Sequence, residues 1–260
     1  MFKIFEELNK FNNIVYHDEP HEYYINGKKA VSVTKLLHKL EKPFDSKYWS
    51  TRKAEERGCS PEEILAEWKL KADIACEKGH SIHAYIENRL ANKVFPYPDK
   101  KIKAMFEGQD PVKPRYDKIV KLIEKFNSDI SNRLISVKSE LVVGDEDYLI
   151  CGMIDQLFYN KKSGMLEIWD WKSNTELTTE SNYNFQYPLN HLSNSKLDTY
   201  SLQLNTYKHI IEKNTNLKLG NCYLVWFNEE NEDYKVIPCK DYMPEVDTMI
   251  QYYLKGKKGA

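Results

Sequence analysis

At 260 residues the chain has the length of one large domain, or of one domain carrying a sizeable insertion, and it can bury a substantial core. Its 38 Lys and Arg against 39 Asp and Glu leave a net charge of −1, which excludes a polybasic coating protein and confines any nucleic-acid contact to local patches. Eighteen Tyr, ten Phe and five Trp against ten Gly and ten Pro argue against wholesale disorder.

In chain order, Lys3, Glu6 and Glu7 stand where a signal peptide needs an apolar core. The longest apolar run, residues 222–227, falls far short of a bilayer span, so a cytosolic protein without membrane contact is expected. Residues 14–34 alternate in short β-like runs around Asn26-Gly27, a dipeptide that tolerates the positive φ angles of a tight turn, and this predicts a hairpin. Ser32 or Thr34 then caps a short helix through Leu40, broken by Pro43 and Asp45. Two helices are predicted over 47–92, divided at Gly58-Cys59-Ser60-Pro61, where Ser60 is a natural N-cap and Pro61 suits the first helical position. Pro96, Pro98, Pro111 and Pro114 mark 95–114 as a linker, with a helical turn near 102–107.

A helix over 116–129 comes next, then strands near 136–143, 148–159 and 165–173. Residues 174–195 read as a polar loop that carries Tyr183, Phe185, Tyr187 and His191, and such a loop usually has a task. A helix over 198–213, strands at 221–227 and 234–238, a helix over 244–254 and a frayed Lys-rich tail from Gly256 complete the chain. Its five cysteines are far apart with no CxxC pair, which suggests neither a disulfide framework nor a cysteine-held metal site.

Gly152-Met153-Ile154-Asp155, the turn-like Asn160 to Gly164, and Ile168-Trp169-Asp170-Trp171-Lys172 read as one antiparallel hairpin. With Lys161 to Gly164 as the loop, Asn160 faces Met165 and Asp155 falls opposite Asp170, their Cβ atoms about 5 Å apart. Asp170 and Lys172 share a face because residues two apart on a strand point the same way. Two carboxylates this close repel unless one protonates or a cation sits between them. Hard oxygen ligands suit magnesium or manganese, and a neighbouring lysine can orient or help deprotonate an attacking water. The alternative is that these are plain hairpin-edge charges; the apolar Ile168, Trp169 and Trp171 around Asp170 weigh against it, since a charge in a core strand is costly.

Glu140, GxxD ending in Asp155 and DxK from Asp170 to Lys172 together resemble the PD-(D/E)xK nuclease superfamily. Gly79-His80-Ser81-Ile82-His83 resembles the upstream histidine motif of its RecB-like exonuclease branch, and Gln203-Leu204-Asn205-Thr206-Tyr207 matches the QxxxY motif of that branch. The opening hairpin with Ser32-Val33-Thr34 and the run Tyr187-Pro188-Leu189 are similar to phage exonucleases related to the mitochondrial genome maintenance exonuclease. The resemblance implies an α/β fold, a central mixed β-sheet flanked by helices, with a helical N-terminal portion. The motif matches run from Gly79 to Tyr207, and the chain is expected to divide into a hairpin segment (1–45), a helical segment with the histidine motif (46–115) and a nuclease core (116–260) within one compact domain.

The same resemblance implies metal-dependent hydrolysis of DNA from ends, leaving 5′-phosphate and 3′-hydroxyl. Asp155, Asp170, His83 and the backbone carbonyl of Trp171 would hold Mg²⁺ or Mn²⁺, with Glu140 at the start of the preceding strand reaching the ion directly or through water. Lys172 would position the water, and Glu87, four residues after His83 on one helix face, is a weaker candidate for a second metal. His80 is expected to face solvent. Gln203 and Tyr207 would bridge the catalytic strand and the DNA backbone; Tyr183, Phe185 and Tyr187 either stack on unpaired bases or anchor the loop. DNA with single strands or free ends is the expected partner, together with recombination or replication proteins of a phage or its host. A non-catalytic DNA-end scaffold, an endonuclease and a CRISPR-adaptation nuclease are the alternatives, the last lacking its cysteine cluster here.

Overall fold

A computed structural model describes residues 1–91 and 112–258. The helical turn expected near 102–107 lies outside the described residues, and of the proline-rich stretch Val112 to Pro114 open a helix.

The chain begins with a helix the sequence reading did not anticipate, α1 (Phe2–Leu8). Three short strands follow, where two were expected: β1 (Ile14–His17), β2 (Glu22–Ile25) and β3 (Lys28–Ser32). Asn26 and Gly27 form the β2–β3 turn with φ of 48° and 77°, the left-handed values that make Asn-Gly a hairpin dipeptide. Ser32 ends β3 and caps α2 (Val33–His38) by accepting from the Lys35 backbone N–H. Two helices occupy the next segment: α3 (Ser46–Arg57), closed by Gly58 at φ 66°, and the long α4 (Pro61–Leu90). Ser60 and Glu63 form a full capping box at the start of α4, with Pro61 at its first position.

The remaining elements are α5 (Val112–Ile130), β4 (Leu134–Asp145), β5 (Ile150–Asn160), β6 (Met165–Lys172), α6 (Lys196–Asn214), β7 (Leu219–Trp226), β8 (Lys235–Pro238) and α7 (Met243–Lys258). The last helix runs through Gly256, so the end of the chain that was expected to fray is helical to Lys258.

All the strands join one mixed sheet in the order β1-β2-β3-β5-β6-β7-β8, with β4 paired to β5. β4 takes one edge of β5 along its whole length, from Leu134–Asn160 to Asp145–Ile150. The other edge must therefore serve two partners: β3, parallel, at Ile150 and Cys151, and β6, antiparallel, at Gln156 to Asn160. Between them, on this second edge, Gly152 to Asp155 have no strand partner among the described residues and form the crotch of a fork.

Alternation along β6 separates the two faces of the sheet. Leu166 and Ile168 join the core built with α2, α6 and α7, whereas Trp169 and Trp171 join the core built with α4 and α5, around Phe126, Phe158 and Phe227. Helices thus cover both faces, and the fold is α/β as the sequence indicates.

Candidate active site

The β5–β6 register is the one the turn residues predict: Asn160 faces Met165, and the ladder runs to Gln156–Trp169. It stops one residue short of Asp155 and Asp170, which therefore face each other at the mouth of the fork. On the other edge of β5, the pairs Ser139–Gln156 and Leu141–Ile154 place Glu140 opposite Asp155. Glu140, Asp155 and Asp170 form one row across three strands.

Glu140 lies in the middle of β4, not at the start of that strand as expected, and it takes a left-handed backbone with φ 47°. A non-glycine residue costs about 1–2 kcal/mol there. The conformation is held by pairs on both sides. His83, from α4, completes the group: ligand atoms of His83, Glu140 and Asp155 all lie within 4.8 Å of one another. Its Nδ1 is 3.6 Å from Asp155 Oδ2, and its Nε2 is 3.2 Å from the carbonyl oxygen of Trp171. With β5 departed, the Trp171 backbone N–H turns to Asp155 and donates to Oδ2 at 2.8 Å.

Asp170 is buried, and Lys172 Nζ stands 2.5 Å from its Oδ2. Apart from this ion pair, Oδ2 has no hydrogen-bond partner among the described residues. Burial first, then the charge of Asp155, raises the Asp170 carboxyl to about 6, while Lys172 and His83 oppose the rise. Burial pulls the Lys172 ammonium down, but Asp170 and Asp155 outweigh it and hold the group charged. Glu140 is pushed up to about 8, mostly by burial and then by Asp155, Glu87 and Asp170. Crowded, mutually repelling carboxylates beside an imidazole are what a divalent cation would relieve, so the donor set of His83, Glu140 and Asp155 fits one.

Glu87 follows His83 by one turn on α4; it is exposed, close enough for its charge to raise Glu140, but outside the three-residue cluster. His80 is exposed, as expected. Gln203 donates to the Tyr207 hydroxyl at 2.9 Å, and Tyr207 is buried with its ring against Gly152 at the fork.

In the loop after β6 the aromatic residues divide. Tyr183 and Tyr187 are exposed, the latter edge-on to Tyr252, but Phe185 is only 2 % exposed and belongs to the main core. Stacking of Phe185 on a base is thereby corrected to loop anchoring, since its ring is already covered by protein.

No protein-family model matches the chain, and no curated protein does. Among solved structures it is similar to a protein from Eubacterium rectale provisionally named an exonuclease, with TM-score 0.42 and 16% identity over 70% of this chain and 68% of that one. It is also similar to a protein called SSO0001, with TM-score 0.27 and 11% identity over 74% and 86%. Likenesses this low carry no weight for function, which rests on the site itself.

One site residue escaped the sequence reading. Lys172 Nζ lies 4.3 Å over the ring of Tyr200, whose hydroxyl accepts from Asn174 Nδ2 at 2.9 Å. Asn174 is fixed in turn, its carbonyl accepting from Trp226 Nε1 and Asn228 Nδ2. The signal lay in helical spacing, since Tyr200, Gln203 and Tyr207 recur on one face of α6.

Proposed function

We propose that the chain is a metal-dependent nuclease of the PD-(D/E)xK type that hydrolyses DNA phosphodiester bonds, acting on single-stranded ends. The observation that carries this reading is the row Glu140–Asp155–Asp170 at the fork, with His83 on one side and Lys172 on the other.

His83, Glu140, Asp155 and the Trp171 carbonyl would hold Mg²⁺ or Mn²⁺, with Asp170 alongside. When bound, the cation would neutralise the scissile phosphate and lower the pKa of a water. Lys172, kept as an ammonium by Asp170 and Asp155, would donate to a phosphoryl oxygen as charge develops there and so help position the phosphate for the attacking water. Tyr200 limits the travel of Lys172 through cation–π contact and its anchored hydroxyl. Asp155 is aimed by the Trp171 N–H, which fixes one of its two oxygens. Tyr207 covers the Gly152 side of the fork and excludes water there.

The test is incubation with end-labelled single- and double-stranded DNA in magnesium, manganese or chelator. Degradation that requires the metal and a free end supports the reading; no cleavage of any DNA under any metal overturns it.

A further inference from the structure

The turn before α3 and the first turns of that helix present aromatic rings that the described fold leaves about half open to solvent. Phe44, Tyr48 and Trp49 are 66, 52 and 41% exposed, although rings of this size are ordinarily buried. Cations are interleaved with them. Arg52 lies 5.8 Å from the Trp49 ring centre and donates to the Tyr48 hydroxyl, and Lys42 Nζ stands 4.4 Å over the ring of Tyr183, itself 51% exposed. Residues 39–57 carry six Lys or Arg against Glu41, Asp45, Glu55 and Glu56, in a chain of net charge −1; Arg52 and Lys53 both approach Glu56, which leaves Lys39, Lys42 and Lys47 as the cations nearest the rings without an acidic partner among the ion pairs described. A shallow depression of about 540 Å³ opens beside Tyr48 and Arg52.

Two separate chain segments build this patch, and they are pinned together. Gln186 donates its backbone N–H to the carbonyl of Leu40 and its side-chain amide to that of Glu41, both at 2.6 Å, which ties the Tyr183 loop to the turn. Phe44 meets the ring of Trp68 on α4 at 5.8 Å. His83 lies on the same helix, about 22 Å further along at 1.5 Å per residue.

A duplex hides its base faces, and an apolar protein partner would have to desolvate the cations. An unpaired nucleic-acid strand offers both phosphates for the Lys and Arg groups and π-faces for the rings. We infer that this face is a stacking platform for single-stranded nucleic acid, which holds the strand upstream of the fork. Its direction toward His83 rests on the nuclease reading; its capacity to bind does not.

The experiment measures fluorescence anisotropy of a labelled oligothymidylate with the intact protein in chelator, so that no cleavage occurs, at several salt concentrations. Trp49→Ala and Tyr48→Ala should each weaken binding by roughly tenfold, the scale of one lost base stack, and Arg52→Gln should flatten the salt dependence. Circular dichroism should be unchanged, because these side chains are exposed. Hydrolysis of the p-nitrophenyl ester of thymidine 5′-monophosphate in manganese, a substrate too short to reach α3, should be the same in wild type and variants. If none of these proteins cleaves end-labelled DNA in magnesium or manganese while the variants still lose binding, the platform stands and the nuclease reading falls. Undiminished binding by the variants, equal affinity for duplex, or a dimer in sedimentation that Trp49→Ala dissolves would each overturn the platform.

Discussion

Gly152 and Tyr207 are packed so tightly that a Cβ on residue 152 would lie 2.2 Å from Tyr207 Cε1. The ring has no room to retreat, since Tyr207 is buried in the core beside Leu204 and Ile211. This one contact gives a physical meaning to two sequence motifs: the glycine of GxxD makes space for the tyrosine of QxxxY.

Gly152→Ala should therefore destabilise the protein by about 1–3 kcal/mol, the range for overpacking a filled core. Urea unfolding checks this, and the double variant with Tyr207→Ala should recover part of the loss. Strictly additive losses would show that the two residues do not press on each other.

Asp170→Asn keeps the shape of the site but removes the carboxylate that pairs with Lys172. Cleavage should fall by about a hundredfold or more, with the protein folded and still binding DNA. Wild-type rates in end-labelled assays would refute the assignment of the row.

The pH dependence follows from Glu140. Its carboxyl titrates near 8 in the folded protein and at the ordinary 4.5 when unfolded, so between those values the folded state holds more protons. Stability must then fall as pH rises through that window. Asp170, also raised, acts with the same sign. Thermal melts in chelator should show a lower Tm at pH 8 than at pH 6, Glu140→Gln should flatten the trend, and manganese should reverse it. A melting temperature that climbs from pH 6 to pH 8 in chelator would contradict the crowded-carboxylate account.

Lys172→Ala should retain manganese binding in calorimetric titration while losing about a hundredfold or more of the rate, because the ammonium acts on the phosphate and is not a ligand. Tyr200→Leu should lose about tenfold in kcat and Tyr200→Phe less, since the ring, not the hydroxyl, faces the ammonium. Loss of metal binding in Lys172→Ala would make the lysine structural.

Linear single-stranded DNA should be degraded from its ends while a circle of the same sequence survives in magnesium. Gel analysis of both substrates decides it; equal cutting of the circle would mean an endonuclease using the same row.

The hairpin register was legible because Lys161 to Gly164 leave little choice of turn, and the position of Asp155 against Asp170 follows from it. Ser60 was legible as a cap, and Ser32 as one of two candidates with Thr34, because capping is local chemistry. Glu140 was legible by type but not by placement, for nothing in Ser139-Glu140-Leu141 announces a left-handed residue inside a strand. The burial of Phe185 was hidden because an irregular loop has no period from which to read a face; its docking on Leu40 and Glu41 depends on a segment some 145 residues away. Tyr200 was missed because its partner, Lys172, is reached only through tertiary packing.

The fork in β5 also bears on when the protein becomes active. Its two arms are held apart by parallel pairings, β3 with β5 and β6 with β7, which join segments remote in sequence and cannot form as local hairpins. Synthesis proceeds from the N-terminus, so the β5–β6 hairpin emerges well before α6 and β7 are available to support it. A nascent or truncated chain ending before Leu219 would carry every acidic residue of the row without the scaffold that aligns them. On the proposed nuclease reading, competence for cleavage would therefore arrive only after β7 has paired with β6, late in the synthesis of the chain.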